Sequence, residues 1–164
     1  MTAQPSDTTG DDKVLTADMY ARLLRLAAVV DPLNPDPADL VQEAIARTLR
    51  RGHLTELRGP EAYLARVIIR LASNRRRHIL RTRKAVARVS NELQVNAQST
   101  DEPHRDALVS LVSLRANERA ILYLHIVEGH NFADIAQTLG IKEATARQRS
   151  SRALAHLRSH YRIE

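Results

Sequence analysis

The chain of 164 residues contains no cysteine. Disulfides, thiolate metal sites and thiol nucleophiles are all excluded by that one absence. Tryptophan is also missing, and the rings are limited to one phenylalanine and four tyrosines, too few for a mechanism that stacks rows of bases. No apolar run approaches a membrane span, and the first residues lack the apolar core of a signal peptide. A cytoplasmic location without membrane insertion is therefore expected. There is no strand-like alternation of any length, no internal repeat, no glycine-rich phosphate loop and no HExxH. One further absence is local. From Arg66 to Arg88 there are nine Arg or Lys residues and no Asp or Glu. A block of one sign repels itself, so the missing acids point to an external polyanion as compensation.

What is present is helical periodicity. The net charge is +6, which by itself attracts nucleic acid, membranes and acidic proteins alike. Residues 1–14 are polar and aperiodic and read as a disordered tail. From Thr16 to Val30, Met19, Leu23, Leu26, Ala27 and Val30 share one helical face, with Thr16 as the cap. The segment DPLNPDP, residues 31–37, has three prolines in seven residues and stops that helix. Pro37 suits the first turn of the next one, whose buried side is expected to hold Leu40, Val41, Ala44, Ile45, Thr48 and Leu49. After the loop from Gly52 to Pro60, a long helix is expected from Glu61 to about Arg88, with Leu64, Val67, Ile68 and Leu71 on its core face. The stretch SNELQVNAQSTDEP, residues 90–103, is polar and reads as a linker. Helix resumes near Asp106, and Leu108, Leu111, Val112, Ile121, Leu122, Leu124 and Ile126 are expected to form the core there.

The last block, NFADIAQTLGIKEATARQRSSRALAHLR from Asn131 to Arg158, reads as two helices around a tight turn. Gly140 stands where a helix ends in a left-handed residue. In the second helix Ala146, Ser150, Ala153 and Leu157 recur at four, three and four and face inward. Arg147, Gln148, Ser151 and Arg152 face outward, as in a helix-turn-helix that enters a major groove. His156 and His160 have the i, i+4 spacing of metal ligands, but no third ligand lies nearby in sequence. No metal, cofactor, catalytic residue or small-molecule substrate is expected. The expected fold class is all-α: two small helical domains joined by a flexible linker, the second a helix-turn-helix domain. The limits are 1–14 for the tail, 15–90 for the first domain, 91–106 for the linker and 107–164 for the second domain.

Two blocks resemble one family, the bacterial RNA polymerase sigma factors of the extracytoplasmic-function group. DLVQEA (Asp39 to Ala44) with AYLARVIIRLASNRRR (Ala62 to Arg77) resembles its region 2. Leu114 to Arg158 resembles its region 4, through Glu118-Arg119, Glu128-Gly129, Asp134-Ile135-Ala136, Leu139-Gly140, Thr145, Arg152-Ala153 and Leu157-Arg158. The chain departs at Tyr63, Arg70 and Asn74, where the family often has Trp, Asn and Asp, and at Arg115, where it usually has Pro.

The resemblance implies a function as a sigma factor that binds core RNA polymerase, directs it to promoters and assists melting. Asp39, Gln42, Glu43 and Arg47 would dock on the polymerase. Arg66, Arg70, Asn74, Arg75, Arg76 and Arg77 would lie along the −10 element, with His53 beside a flipped base. Lys142, Glu143, Thr145, Arg147, Gln148, Arg149 and Ser151 would read the −35 element. The acidic pair Asp101-Glu102 would accompany the linker through the polymerase, and an anti-sigma factor is a further possible partner. The alternative is a stand-alone dimeric helix-turn-helix regulator, which would bind duplex DNA tightly without polymerase.

Overall fold

The structure, a computed structural model, describes residues 15–52, 54, 57–87 and 110–160. The expected tail, His53, the linker and Asp101-Glu102 lie outside the described residues. Every regular element among the described residues is helical. They are α1 (Ala17–Val30), α2 (Pro37–Leu49), α3 (Pro60–Ala87), α4 (Ala116–Leu122), α5 (Phe132–Leu139) and α6 (Glu143–His160). A short helical stretch, 110–113, precedes α4. A π-helical turn, Tyr123–Val127, extends α4.

The local signals act as their chemistry requires. Thr16 Oγ1 accepts from the Met19 amide and starts α1. Asp36 Oδ1 accepts from the Ala38 amide, and Pro37 occupies the first turn of α2. Asn131 caps α5 through the Asp134 amide at 2.8 Å. Gly140 ends α5 at φ 66°. The amide of Ile141 reaches the Ala136 carbonyl and the amide of Gly140 the Gln137 carbonyl, the paired bonds of a Schellman close.

The first three helices pack as a bundle around Leu23, Leu26, Val30, Leu40, Val41, Leu64 and Ile68, all almost fully buried. Three positions expected in the core are exposed instead. Leu49 is out because the α2 stripe runs through Thr48, whose hydroxyl is satisfied by the Ala44 carbonyl at 2.8 Å. Leu111 is out because Ser110 and Leu114, four apart, take the inward side. Ile126 lies in the π turn, where the wider winding carries it off the apolar face.

The apolar core does not stop at the first three helices. Ala116, Ala120 and Ile121 of α4, Ile135 and Ala136 of α5 and Ala146 of α6 belong to the same cluster as Leu23, Leu64 and Ile68. A smaller cluster of Leu114, Leu122 and Ala153 holds α4 against α6. Arg119 lies inside this packing at 4% exposure. Its Nη2 donates to the Val30 carbonyl at 2.6 Å, and its Nη1 to the Leu111 and Leu114 carbonyls at 3.0 and 2.6 Å. One guanidinium thus ties the end of α1 to the entry of α4.

Candidate nucleic-acid interface

Outward positions of α6 form the first surface. Its inward side is set by Ala146, Ser150 and Ala153, each buried. That leaves Lys142, just before the helix, with Glu143, Arg147, Gln148 and Ser151 exposed, and Thr145 and Arg149 half-buried. The sequence left the side of Arg149 ambiguous, and the structure places it between core and solvent. Arg147 is the most organised of these. Its Nε and Nη2 donate to Glu143 Oε1 at 3.1 and 2.5 Å. Its guanidinium also stands 5.0 Å from the centre of the Phe132 ring. On that ring His125 packs at 4.2 Å between centroids. A cation over an aromatic face is attracted by the ring quadrupole, so the side chain is oriented before any ligand arrives. Neither His125 nor Phe132 was expected at this interface from sequence. Their only signal was that the chain's sole phenylalanine sits at the first residue of the helix-turn-helix.

The second surface lies along α3 and the end of α2. Arg47, Arg50, Arg51, Arg66, Arg70, Tyr63 and Asn74 line a cleft of about 860 Å³. The cleft brings five guanidiniums, one ring and one amide together with the Glu43 carboxylate, which Arg47 and Arg75 pair; phosphate donors, a stacking plane and a base-edge partner are what an unstacked nucleotide needs. Arg50 and Arg51 were not among the residues expected here from sequence. The six expected α3 residues have different fates. Arg70 is exposed on the cleft. Arg77 donates to Asn74 Oδ1 at 2.6 Å, fixing the amide beside it. Arg75 is turned inward, donating to Glu43 Oε2 at 3.1 Å and standing 3.8 Å from Asp31. The block of basic residues is therefore not wholly without internal compensation, because α2 and the following turn of α1 lend it acids. Arg76 donates to the Leu114 carbonyl and, at 3.4 Å, to that of Ser113. Arg66 donates to the Thr138 carbonyl at 2.6 Å and to the Gln137 carbonyl.

On α2, Asp39, Gln42 and Arg47 are exposed. Glu43 is half-buried, held by Arg47 at 2.7 Å and by Arg75. Burial raises the Asp31 carboxyl above its ordinary value, against the pull of Arg75 and Arg119. Burial likewise lowers Arg119 to about 10, with Arg76 adding to the effect and Asp31 and Glu118 opposing it. Arg119 remains a cation at neutral pH. Between α1 and the π turn, Arg25 stands 3.8 Å from Glu128, and Tyr123 donates to Glu128 Oε1 at 2.6 Å. The ring of His156 lies 2.6 Å from Ser113 Oγ. Among the described residues no group of three or more His, Cys, Asp or Glu is placed to hold a metal, and no helix is long and apolar enough to cross a membrane.

Residues 110–159 match the family model of sigma-70 region 4. The chain is similar to the RNA polymerase sigma-E factor of Streptomyces coelicolor, at 31% identity over 156 residues, covering 89% of this chain and 86% of that protein. Among solved structures it is similar to the sigma factor RpoE of Bartonella quintana, crystallised with the anti-sigma factor NepR. There the TM-score is 0.58 at 19% identity, over 89% of this chain and 93% of that one. That likeness concerns the fold.

Proposed function

The chain belongs to the bacterial RNA polymerase sigma factors of the extracytoplasmic-function group, and from that premise we propose that it docks on core RNA polymerase, carries it to a promoter class and helps open the DNA. The observation that carries this reading is the pairing of two distinct basic surfaces on one chain: the outward face of α6, shaped for a duplex groove, and the α2–α3 cleft, shaped for an unstacked strand. A duplex-only regulator has no use for the second.

In this reading Arg147, with Lys142, Gln148 and Ser151 around it, meets the −35 element in the major groove. A bidentate arginine–guanine pair discriminates by about 1–3 kcal/mol. Arg70, Asn74 and Arg77 follow the −10 strand, with Tyr63 as the stacking plane and Arg50 and Arg51 as phosphate donors at the cleft's edge. Asp39, Gln42 and Arg47 present a polar helix face suited to a reversible partner that is steered by charge. Residues 15–90 act as the polymerase and −10 unit and 107–164 as the −35 unit. An anti-sigma factor, the kind of partner seen with the Bartonella protein, fits as the source of control. The family directs an enzyme and is not one, so no catalytic role is assigned.

The test is co-elution with sigma-free core polymerase on a sizing column, followed by promoter-dependent transcription. Asp39→Arg with Gln42→Arg is the informative variant, because both side chains are exposed and removal of Glu43 would also unpair Arg75. We expect wild type to co-elute and the variant to be largely lost from the complex. A well-folded wild type that does not co-elute, yet shifts duplex DNA alone as a dimer, would overturn the assignment.

A further inference from the structure

The start of α6 carries two opposite charges in a fixed relation. Glu143 is the first residue of the helix, and Arg147 stands about one turn on. Nε and Nη2 of Arg147 both donate to Oε1 of Glu143, at 3.1 and 2.5 Å. The guanidinium lies 5.0 Å from the centre of the Phe132 ring, which braces it from the neighbouring helix. The pairing does not consume either side chain. A guanidinium presents its hydrogens in a planar fork, and Glu143 takes only the edge formed by Nε and one side of Nη2. The end of the fork, Nη1 with the other side of Nη2, takes no part in these bonds. Neither does Oε2 of Glu143. Both side chains are well exposed, 62% for Arg147 and 45% for Glu143. They lie where a recognition helix touches base edges, at its N-terminal residues.

We propose that Glu143 and Arg147 read one G·C base pair as a unit, which makes Glu143 a specificity residue and not only a brace for the arginine. The inference rests on the reading of α6 as the duplex-binding helix. In order along the pair, the groups run donor, donor, acceptor: Nη1, Nη2, then the Glu143 carboxylate. The major-groove edge of a G·C pair runs acceptor, acceptor, donor: guanine N7 and O6, then the cytosine amino group. Guanine O6 and cytosine N4 are hydrogen-bonded to each other, so they lie about 3 Å apart. That is comparable with the separation of Nη2 from the carboxylate it holds, and the two edges match group for group. An A·T pair runs acceptor, donor, acceptor. It sets the adenine amino group against Nη2 and thymine O4 against the carboxylate. A reversed C·G pair sets an amino group against Nη1 and O6 or N7 against the carboxylate. Such juxtapositions reject a sequence as effectively as good contacts select one. An arginine alone accepts a guanine on either strand, and the carboxylate beside it decides which strand carries that guanine. Glu143 also repels phosphates, so it opposes non-specific binding while it sharpens the specific kind.

The test is selection of sites by the full chain from a duplex library with a randomised core, followed by fluorescence anisotropy on the selected duplex at one salt concentration. Wild type is expected to settle on a G·C pair at one position. Arg147→Ala and Glu143→Ala should both relax that same position, with discrimination against A·T falling about tenfold in each. Circular dichroism checks that helix content is kept. Base analogues separate contact from bracing. N4-methylcytosine in the selected pair removes the amino hydrogen that faces the groove. It should weaken wild type about fivefold and leave Glu143→Ala unmoved. 7-Deazaguanine should weaken wild type and leave Arg147→Ala unmoved. Glu143→Ala should bind a duplex of mixed sequence at least as tightly as wild type. Selection that settles on no G·C pair, variants that relax different positions, or a wild type indifferent to N4-methylcytosine would each overturn the proposal. The last would show that Glu143 only braces its neighbour. A chain that joins core polymerase but selects no G·C pair keeps the sigma assignment and loses the paired reading. A chain that selects the pair but never joins polymerase keeps the paired reading and loses the assignment.

Discussion

Arg147 is the residue whose freedom is most restricted on the outward face of α6. Glu143 fixes it along the helix and Phe132 fixes it from the neighbouring one. Pre-orientation of this kind spares the entropy otherwise lost on binding. Phe132→Leu retains apolar volume and removes the ring face. It is expected to weaken binding to a −35 duplex by about 0.5–1 kcal/mol, the usual worth of a cation–π pair at an exposed site. Fluorescence anisotropy on that duplex reads it, and Phe132→Tyr should restore wild-type affinity. If Leu and Tyr behave alike, the ring has no part in orienting the arginine. The outward placement of Arg147 was legible in the sequence, because the four-three-four spacing of Ala146, Ser150, Ala153 and Leu157 fixes the opposite side of the helix. The stack beneath it was not, since periodicity says which face a residue lies on and not which neighbour from another helix it meets.

At the level of elements, the stops and starts carry the design. Gly140 adopts φ 66°, the left-handed region that costs an L side chain roughly 1 kcal/mol or more. Gly140→Ala is expected to lower stability by about 1–2 kcal/mol in chemical denaturation, and Gly140→Asn by less, because Asn visits that region more readily. Equal losses for the two would mean that crowding against Arg66, rather than backbone conformation, sets the cost. Caps and breakers were the most readable part of the chain: Thr16, Pro37 and Gly140 each sit where local chemistry put them. The π turn at Tyr123–Val127 was not foreseen. An extra residue in one turn leaves no mark in composition, and Ile126, expected in the core, lies in that turn at the surface.

The whole molecule is held by a polar strut inside an apolar seam. Arg119 supplies donors to three main-chain carbonyls from two parts of the chain, and its Nε is buried without a partner among the described residues. Arg119→Met fills the space and removes the charge, which relieves the desolvation that lowers this guanidinium. It also strands the carbonyls of Val30, Leu111 and Leu114. Unsatisfied buried acceptors cost about 1–3 kcal/mol each, so the net loss is expected to be roughly 2 kcal/mol, visible as a fall of about 5 °C in Tm. An unchanged Tm would mean that the strut is replaceable by packing alone. At this scale the sequence was legible in kind and not in arrangement. It predicted two helical groups, because two apolar stripes flank a polar stretch. It could not show that Ala116, Ala120 and Ile121 join the core of α1 and α3, since small apolar residues look alike on an internal face and on a face between two groups.

Among the contacts that join the halves, those made by three arginines share a property with genetic consequences. Arg66 and Arg76 donate to the backbone oxygens of Gln137, Thr138, Ser113 and Leu114, and Arg119 donates across to that of Val30. A carbonyl is present whatever side chain follows it. The receiving positions can therefore accept substitutions that keep the helices in place, and the donating positions cannot. At these contacts lineages of this protein would drift freely on the accepting side and stay fixed on the donating side, so the paired changes that mark touching side chains, as at Arg25 and Glu128, would be absent from them even though they endure.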